Sequence, residues 1–250
     1  MASDRSNFTT IFPAFPESRF QGLLQDCGQE IQPGIEDLKK WRDWSQIKTS
    51  RDQLRIERRL LDFVNRDSRI LHVGVGNSRL AMRFAHRVRA VVGMTISPDE
   101  LAQGLGLAIP NYQVLQWNKY RYWSDTSGDG FDAIVDNNPT GFACCLKHVS
   151  NLLAWYAEAL HPRGAIFTDR IGLAWVVSTP DVVRRWRGFD LEDCAVLGAR
   201  LGLHAINIDG NVYALVKHAG YERIEQLRRY RNWPAPLRGW LSRAGRRTTA

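Results

Sequence analysis

The chain reads as an α/β protein with a doubly wound, mostly parallel seven-stranded sheet and a terminal antiparallel hairpin. Three observations predict this. Five short apolar runs alternate with helical stretches, the pattern of a parallel sheet covered on both faces. A glycine turn, Gly74-Val75-Gly76, links the first run to a helix start. Finally, two alternating segments, His204 to Ile208 and Val212 to Lys217, flank Asp209-Gly210-Asn211, which is hairpin-turn chemistry.

Each element has its own signal. Ser50 and Gln53 form a capping-box pattern for a helix to about Asn65, with Leu54, Leu61 and Val64 on its buried face. Ile70, Leu71 and Val73 suit a buried strand. Asn77 and Ser78 are good N-caps, and Leu80, Ala81, Phe84, Ala85 and Val88 follow at helical spacing. The second strand is 90–95, and Ser97-Pro98-Asp99-Glu100 opens the next helix with proline in its first turn. A third strand spans 112–117. The turn-rich Ser127-Gly128-Asp129-Gly130 precedes a fourth at 131–136. A helix is predicted from about Leu146 to Leu160. The turn His161-Pro162-Arg163-Gly164 then leads to a fifth strand at 165–168, and Leu191 to Leu201 is helical.

The 250 residues, 44% hydrophobic and 24% charged, suit one sizeable domain with terminal additions. The expected division is an N-terminal extension or lid (1–48), a core domain (49–220) and a basic tail (221–250). The extension scatters Phe8, Phe12, Phe15 and Phe20 among prolines, then shows a short stripe of Ile35, Leu38, Trp41 and Trp44. The four cysteines, Cys27, Cys144, Cys145 and Cys194, include no C-x-x-C pair and fit a reducing compartment. The adjacent Cys144-Cys145 is not a zinc or disulfide framework. Neither a signal peptide nor an apolar run of about 20 residues is visible. A cytoplasmic protein without a membrane span is expected. Of the net charge of +8, residues 221–250 supply six, through eight Arg against two Glu. Trp233, Leu237, Trp240 and Leu241 mark that tail as a packing segment more than a nucleic-acid arm.

A strand, glycine turn and helix N-terminus is a place to hold a nucleotide-like cofactor. The NAD fingerprint G-x-G-x-x-G is broken, because Arg79 stands at the third glycine. The stretch Ile70-Leu71-His72-Val73-Gly74-Val75-Gly76-Asn77-Ser78 instead resembles the first motif of the class I S-adenosylmethionine (SAM)-dependent methyltransferases. His72 replaces the family's acid and Ser78 its third glycine. The order of elements from about 50 to 218, closing hairpin included, is similar to that family's Rossmann-like fold.

The resemblance implies SAM as cofactor and assigns sites along the carboxyl ends of the strands. The loop Gly74, Val75, Gly76, Asn77 and Ser78 would face the methionyl and ribose part, with His72 beneath it. Thr95, followed by Ile96, takes the place of the acid that holds the ribose hydroxyls. Gly93-Met94-Thr95-Ile96-Ser97 is similar to the cyclopropane-fatty-acid-synthase branch. Asn118 would meet the adenine amino group, with Trp117 beside it. Asp136-Asn137-Asn138-Pro139-Thr140-Gly141 is a polar strand end with proline and glycine, suited to an active site. It lacks the second proline and the aromatic of the base-amino methyltransferases. Asp136 and Asn137 are candidate cofactor contacts, and Asp136, His148 and Asp169 candidate bases. No metal is expected, since Arg170 adjoins the one pair of acids, Asp136 and Asp169, that would hold Mg²⁺.

The expected function is methyl transfer from SAM to an oxygen or nitrogen of a small molecule by direct displacement. The alternatives are an RNA or protein methyltransferase that uses the Arg-rich tail, and a non-catalytic binding protein on the same fold.

Overall fold

The computed structural model describes residues 19–28, 43–125, 127–177 and 187–230. The chain order is α1 (Arg51–Phe63), β1 (Arg69–Val73), α2 (Arg79–Phe84), β2 (Ala90–Thr95), α3 (Pro98–Gly106), β3 (Tyr112–Gln116) and β4 (Phe131–Asp136). It continues with α4 (Leu146–Ala159), β5 (Leu160–Asp169), α5 (Arg170–Ala174), α6 (Leu191–Ala199), β6 (Leu203–Asn207), β7 (Val212–Lys217) and α7 (Tyr221–Tyr230).

The strands form one seven-stranded sheet in the order β3-β2-β1-β4-β5-β7-β6. The first five are parallel, and β7 runs antiparallel between β5 and β6. Alternate side chains feed the two faces, as the two-residue period of a strand requires. Leu71, Val73, Val92, Met94, Ile134 and Ile166 pack with α4 and α6. Ile70, Val91, Ala133, Val135 and Phe167 pack with α1, α2 and α7. Because both faces are covered, the central strands are mostly apolar, and the polar residues they carry, such as His72 in β1 and Asp136 at the end of β4, are buried.

Helix starts follow local chemistry. The Ser50 and Ser97 hydroxyls accept from the amides of Gln53 and Glu100, which caps α1 and α3. Asp190 and Asp193 complete a reciprocal capping box on α6. Ser78 behaves differently from the N-cap expected of it. It lies at a left-handed φ of 55° with no capping bond, and its hydroxyl pairs with the Tyr112 phenol at 3.0 Å. Asn77 does the local work, accepting the Arg79 amide at 3.1 Å.

The expected turn His161–Gly164 lies inside β5, which begins at Leu160 directly after α4. A register shift between Phe131 and Ala133 of β4 absorbs this irregular start. Within the expected tail, α7 lays Ile224 and Leu227 into the core beside Phe63. The Arg223 guanidinium stacks 4.1 Å over the Phe63 ring. The tail's tryptophans and last arginines lie outside the described residues, as do Phe8, Phe12, Phe15 and the stripe from Ile35 to Trp41. Among the described residues no helix is long and apolar enough to cross a membrane.

Candidate functional site

The carboxyl ends of β1 to β5 open on one side of the sheet. There they bound a cavity of about 340 Å³, within the range of small-molecule sites. The loop after β1 forms its floor. Gly74 and Gly76 both hold left-handed backbone, with φ of 74° and 51°. A Cβ at Gly74 would meet no protein atom within 4 Å, so this backbone is bare toward a ligand. Ser78 at φ 55° continues the pattern, and the hydroxyl bond to Tyr112 holds a conformation that glycine adopts without strain.

Ten of the residues expected to contact cofactor line this cavity: His72, Gly74, Val75, Gly76, Asn77, Thr95, Ile96, Trp117, Asn118 and Asn137. His72 is buried, and burial alone pushes its pKa down to about 4. Its imidazole is therefore neutral at pH 7. Nε2 lies 3.4 Å from the Gln53 amide, and Nδ1 has no protein partner. The Asn118 Oδ1 accepts the Tyr120 amide at 3.0 Å, which fixes the loop after β3. Arg121 covers one face of Trp117 at 5.4 Å.

The other expected residues sit behind the wall. Ser78 is buried against Tyr112. Asp136 is fully buried and saturated with donors. Lys119 Nζ reaches both its oxygens at 3.1 and 3.0 Å, the Tyr156 hydroxyl donates at 2.7 Å and the Asn138 amide at 3.1 Å. Burial lowers the Lys119 pKa while the Asp136 carboxylate opposes the shift. Asp169 accepts a two-pronged guanidinium from Arg55, both contacts at 2.7 Å, and caps α5 through the Ile171 amide. His148 is buried on the first turn of α4, its Nδ1 facing three cysteine sulfurs. These three groups hold the walls in shape and do not face the cavity.

Three further acids that sequence reasoning did not single out do face it: Asp52, Glu57 and Glu100. Glu100 joins three elements. Its Oε2 accepts the Thr95 hydroxyl at 2.6 Å and the Gly76 amide at 3.2 Å, and its carboxylate also accepts the Trp44 amide. Burial raises its pKa, and these three bonds oppose the rise. The Thr95 hydroxyl is thus already committed, donating a hydrogen bond to Glu100 and accepting one from the Ser97 amide. Asp52, in the first turn of α1, accepts the Asn137 amide. Burial pushes its pKa up, but hydrogen bonds from Ser50 and Asn137 and the charge of Arg55 outweigh that and hold it low. Asn137 Oδ1 is buried without a partner.

The 43–50 segment closes the remaining side. Asn77 bonds the Ile47 carbonyl at 2.8 Å and the Thr49 hydroxyl at 3.2 Å. Opposite, Phe142 and Trp175 meet edge-to-face at 5.2 Å beside the exposed Ile171. One end of the cavity is therefore polar and loop-built, and the other apolar and aromatic.

No protein-family model matches the chain, and no curated protein sequence does. Solved structures do. The N-methyltransferase NodS of Bradyrhizobium japonicum, in complex with S-adenosyl-L-homocysteine, superposes with a TM-score of 0.52 at 12% identity, covering 74% of this chain and 95% of that one. The chain has the class I methyltransferase fold. Streptomyces venezuelae DesVI matches that fold at 0.51 and 14% identity over 73% of this chain and 97% of its own. A TehB-like SAM-dependent methyltransferase of Corynebacterium glutamicum matches at 0.50 and 18%, over 72% and 95%. In this methyltransferase fold the glycine loop after β1, the end of β2 and the end of β3 share one cavity, as the strand order demands.

Proposed function

We infer that the chain is a SAM-dependent methyltransferase acting on a small molecule. One observation carries the reading: a bare, left-handed glycine turn meets, in one cavity, a buried neutral imidazole whose Nδ1 has no protein partner. The residues fit a cationic amino-acid nucleoside. Neutral His72 accepts a hydrogen bond from an ammonium without opposing its charge. The carboxylates of Glu100 and Asp52 face the same cavity, while Glu57 is paired with Arg83 and Arg79. Asn118 offers its amide to adenine, and Ile96 and Trp117 offer apolar contact. Glu100 replaces Thr95 as the acid at the ribose end, with Thr95 and the Gly76 amide fixing its orientation.

SAM supplies a methyl carbon already activated by a sulfonium, so the protein's task is alignment more than activation. Asp52 and Asn137 are placed for it. The Asn137 amide holds one Asp52 oxygen, leaving carboxylate lone pairs and the Asn137 Oδ1 to receive an acceptor's O–H or N–H. Asp52 then takes the proton released on methylation. Phe142, Ile171 and Trp175 suit an acceptor with an apolar body, and the 43–50 segment excludes water from the polar end.

The test is transfer of label from SAM into a small-molecule extract of the source organism, with Asp52→Asn beside the parent. The parent labels a product. Asp52→Asn loses about 10²- to 10⁴-fold in kcat/KM, the usual contribution of a positioned acid or base, while it still binds SAM. Unlabelled extract despite bound SAM would favour the non-catalytic alternative.

A further inference from the structure

We propose that Cys27, Cys144, Cys145 and His148 form a structural zinc site that locks the N-terminal segment onto the start of α4. The His148 Nδ1 lies 3.6 Å from the Cys27 sulfur, 3.3 Å from that of Cys144 and 3.2 Å from that of Cys145. All four ligand atoms fall within 4.8 Å of one another. A tetrahedral zinc with Zn–S near 2.3 Å and Zn–N near 2.0–2.1 Å requires S···N separations of about 3.6 Å. The three sulfur-to-Nδ1 separations are therefore within a few tenths of an ångström of that value.

A neutral imidazole Nδ1 carries either one lone pair or one proton, so it pairs with one thiol at a time, and the Cys144 thiol turns to those of Cys145 and Cys27. None of the four cysteines of the chain forms a disulfide. Divalent zinc would take all four groups at once: three thiols give up three protons, the imidazole binds as the neutral base, and the complex carries one net negative charge. That charge falls at the N-terminal end of the 14-residue α4, where the helix dipole favours it. Cys145, His148 and Cys144 are buried. With four protein ligands no coordination position remains for substrate, which makes the site structural.

The backbone is built to deliver the fourth ligand. The first amides of α4, those of Leu146 and Lys147, donate to the carbonyls of Leu24 and Gln25 at 2.9 and 3.0 Å. Lys147 pairs with Asp26 at 2.8 Å. These contacts place Cys27 on the cluster although it is 121 residues from His148. The sequence shows no zinc spacing for this reason: three ligands come from the helix start and the fourth from a distant segment. On the inner side the His148 ring meets the edge of Tyr120, which lines the cavity, at a centroid distance of 6.4 Å. The metal would thus brace one wall of the substrate cavity from behind.

The test is metal content of the full-length chain, purified in reducing buffer without chelator, by elemental analysis and native mass spectrometry. Expected is about one zinc per chain. Adding cobalt(II) to the stripped, reduced chain should then give a thiolate-to-cobalt charge-transfer band. Cys27→Ser, Cys144→Ser, Cys145→Ser and His148→Ala each weaken zinc retention by about tenfold or more, whereas Cys194→Ser retains it. A folded, reduced parent with neither zinc nor the cobalt band would overturn the proposal. So would a disulfide among the three clustered cysteines in the chain purified in reducing buffer, or full zinc retention in Cys27→Ser. Should the buried variants fail to fold, the parent's zinc count and cobalt band decide alone.

Discussion

Thr95 and Glu100 show how a polar pair at a strand end acquires its role from tertiary structure. By position, Thr95 ends β2 where an acid would hold a ribose. By contact, it is a donor that orients a buried carboxylate arriving from α3. Thr95→Val is therefore expected to cost about 1–3 kcal/mol of stability, the penalty of leaving a buried charged group short of a partner. Thr95→Asp costs more and loses further stability as pH rises, because two carboxylates would then share one buried site. Urea unfolding at pH 5 and 8 measures both, and an unchanged midpoint in Thr95→Val would remove Glu100 from this role. His72 provides a second, pH-dependent test. Its folded pKa of about 4 lies below the ordinary 6.5. Between those values only the unfolded chain holds the proton, so stability falls as pH drops from 6.5 toward 4 and levels off below. The difference corresponds to about 3 kcal/mol at full extent. His72→Gln should flatten this part of the acid limb, and a parallel limb in both proteins would contradict the burial of a neutral imidazole.

At the level of elements, α1 does two jobs. Its apolar face, Ile56, Leu60 and Phe63, is buried against the sheet, each side chain contributing roughly 1.5–3 kcal/mol. Its polar edge brings Asp52 to the cavity and Arg55 to Asp169. Arg55→Met leaves the Asp169 charge buried with only the α5 amide for company, a loss of about 3–5 kcal/mol. Adding Asp169→Asn should recover much of it while keeping the helix cap. If Arg55→Met shifts the urea midpoint negligibly, the pair does not tie α1 to β5. The strands were largely readable from sequence because one or both faces of each are buried, which imposes a two-residue period or a continuous apolar run. The start of β5 was not, since His161-Pro162-Arg163-Gly164 carries turn chemistry and is drawn into the sheet only by pairing with β4. α5 is five residues long, too short to show helical periodicity. The catalytic candidates lie outside the cavity lining for a related reason. Asp136, His148 and Asp169 stand at or near strand and helix ends, but sequence does not show that Lys119, the cysteine cluster and Arg55 already occupy them.

Across the whole molecule, one side of a parallel sheet gathers a glycine turn, a neutral imidazole, three carboxylates and an aromatic mouth. The order of strands puts them there, and the 43–50 segment with Phe142 and Trp175 flanks them. Ligand binding at the Gly74 turn tests this arrangement most directly. Titration calorimetry of the parent with SAM and with S-adenosylhomocysteine should give saturable binding in the micromolar range, about −8 kcal/mol, and none with NAD. Gly74→Val should reduce that binding by about tenfold or more, because it adds a branched side chain in the open cavity at a left-handed φ. A folded parent that binds neither SAM nor its homocysteine product, or a Gly74→Val chain that binds SAM as tightly as the parent, would contradict the assignment of this cavity to SAM.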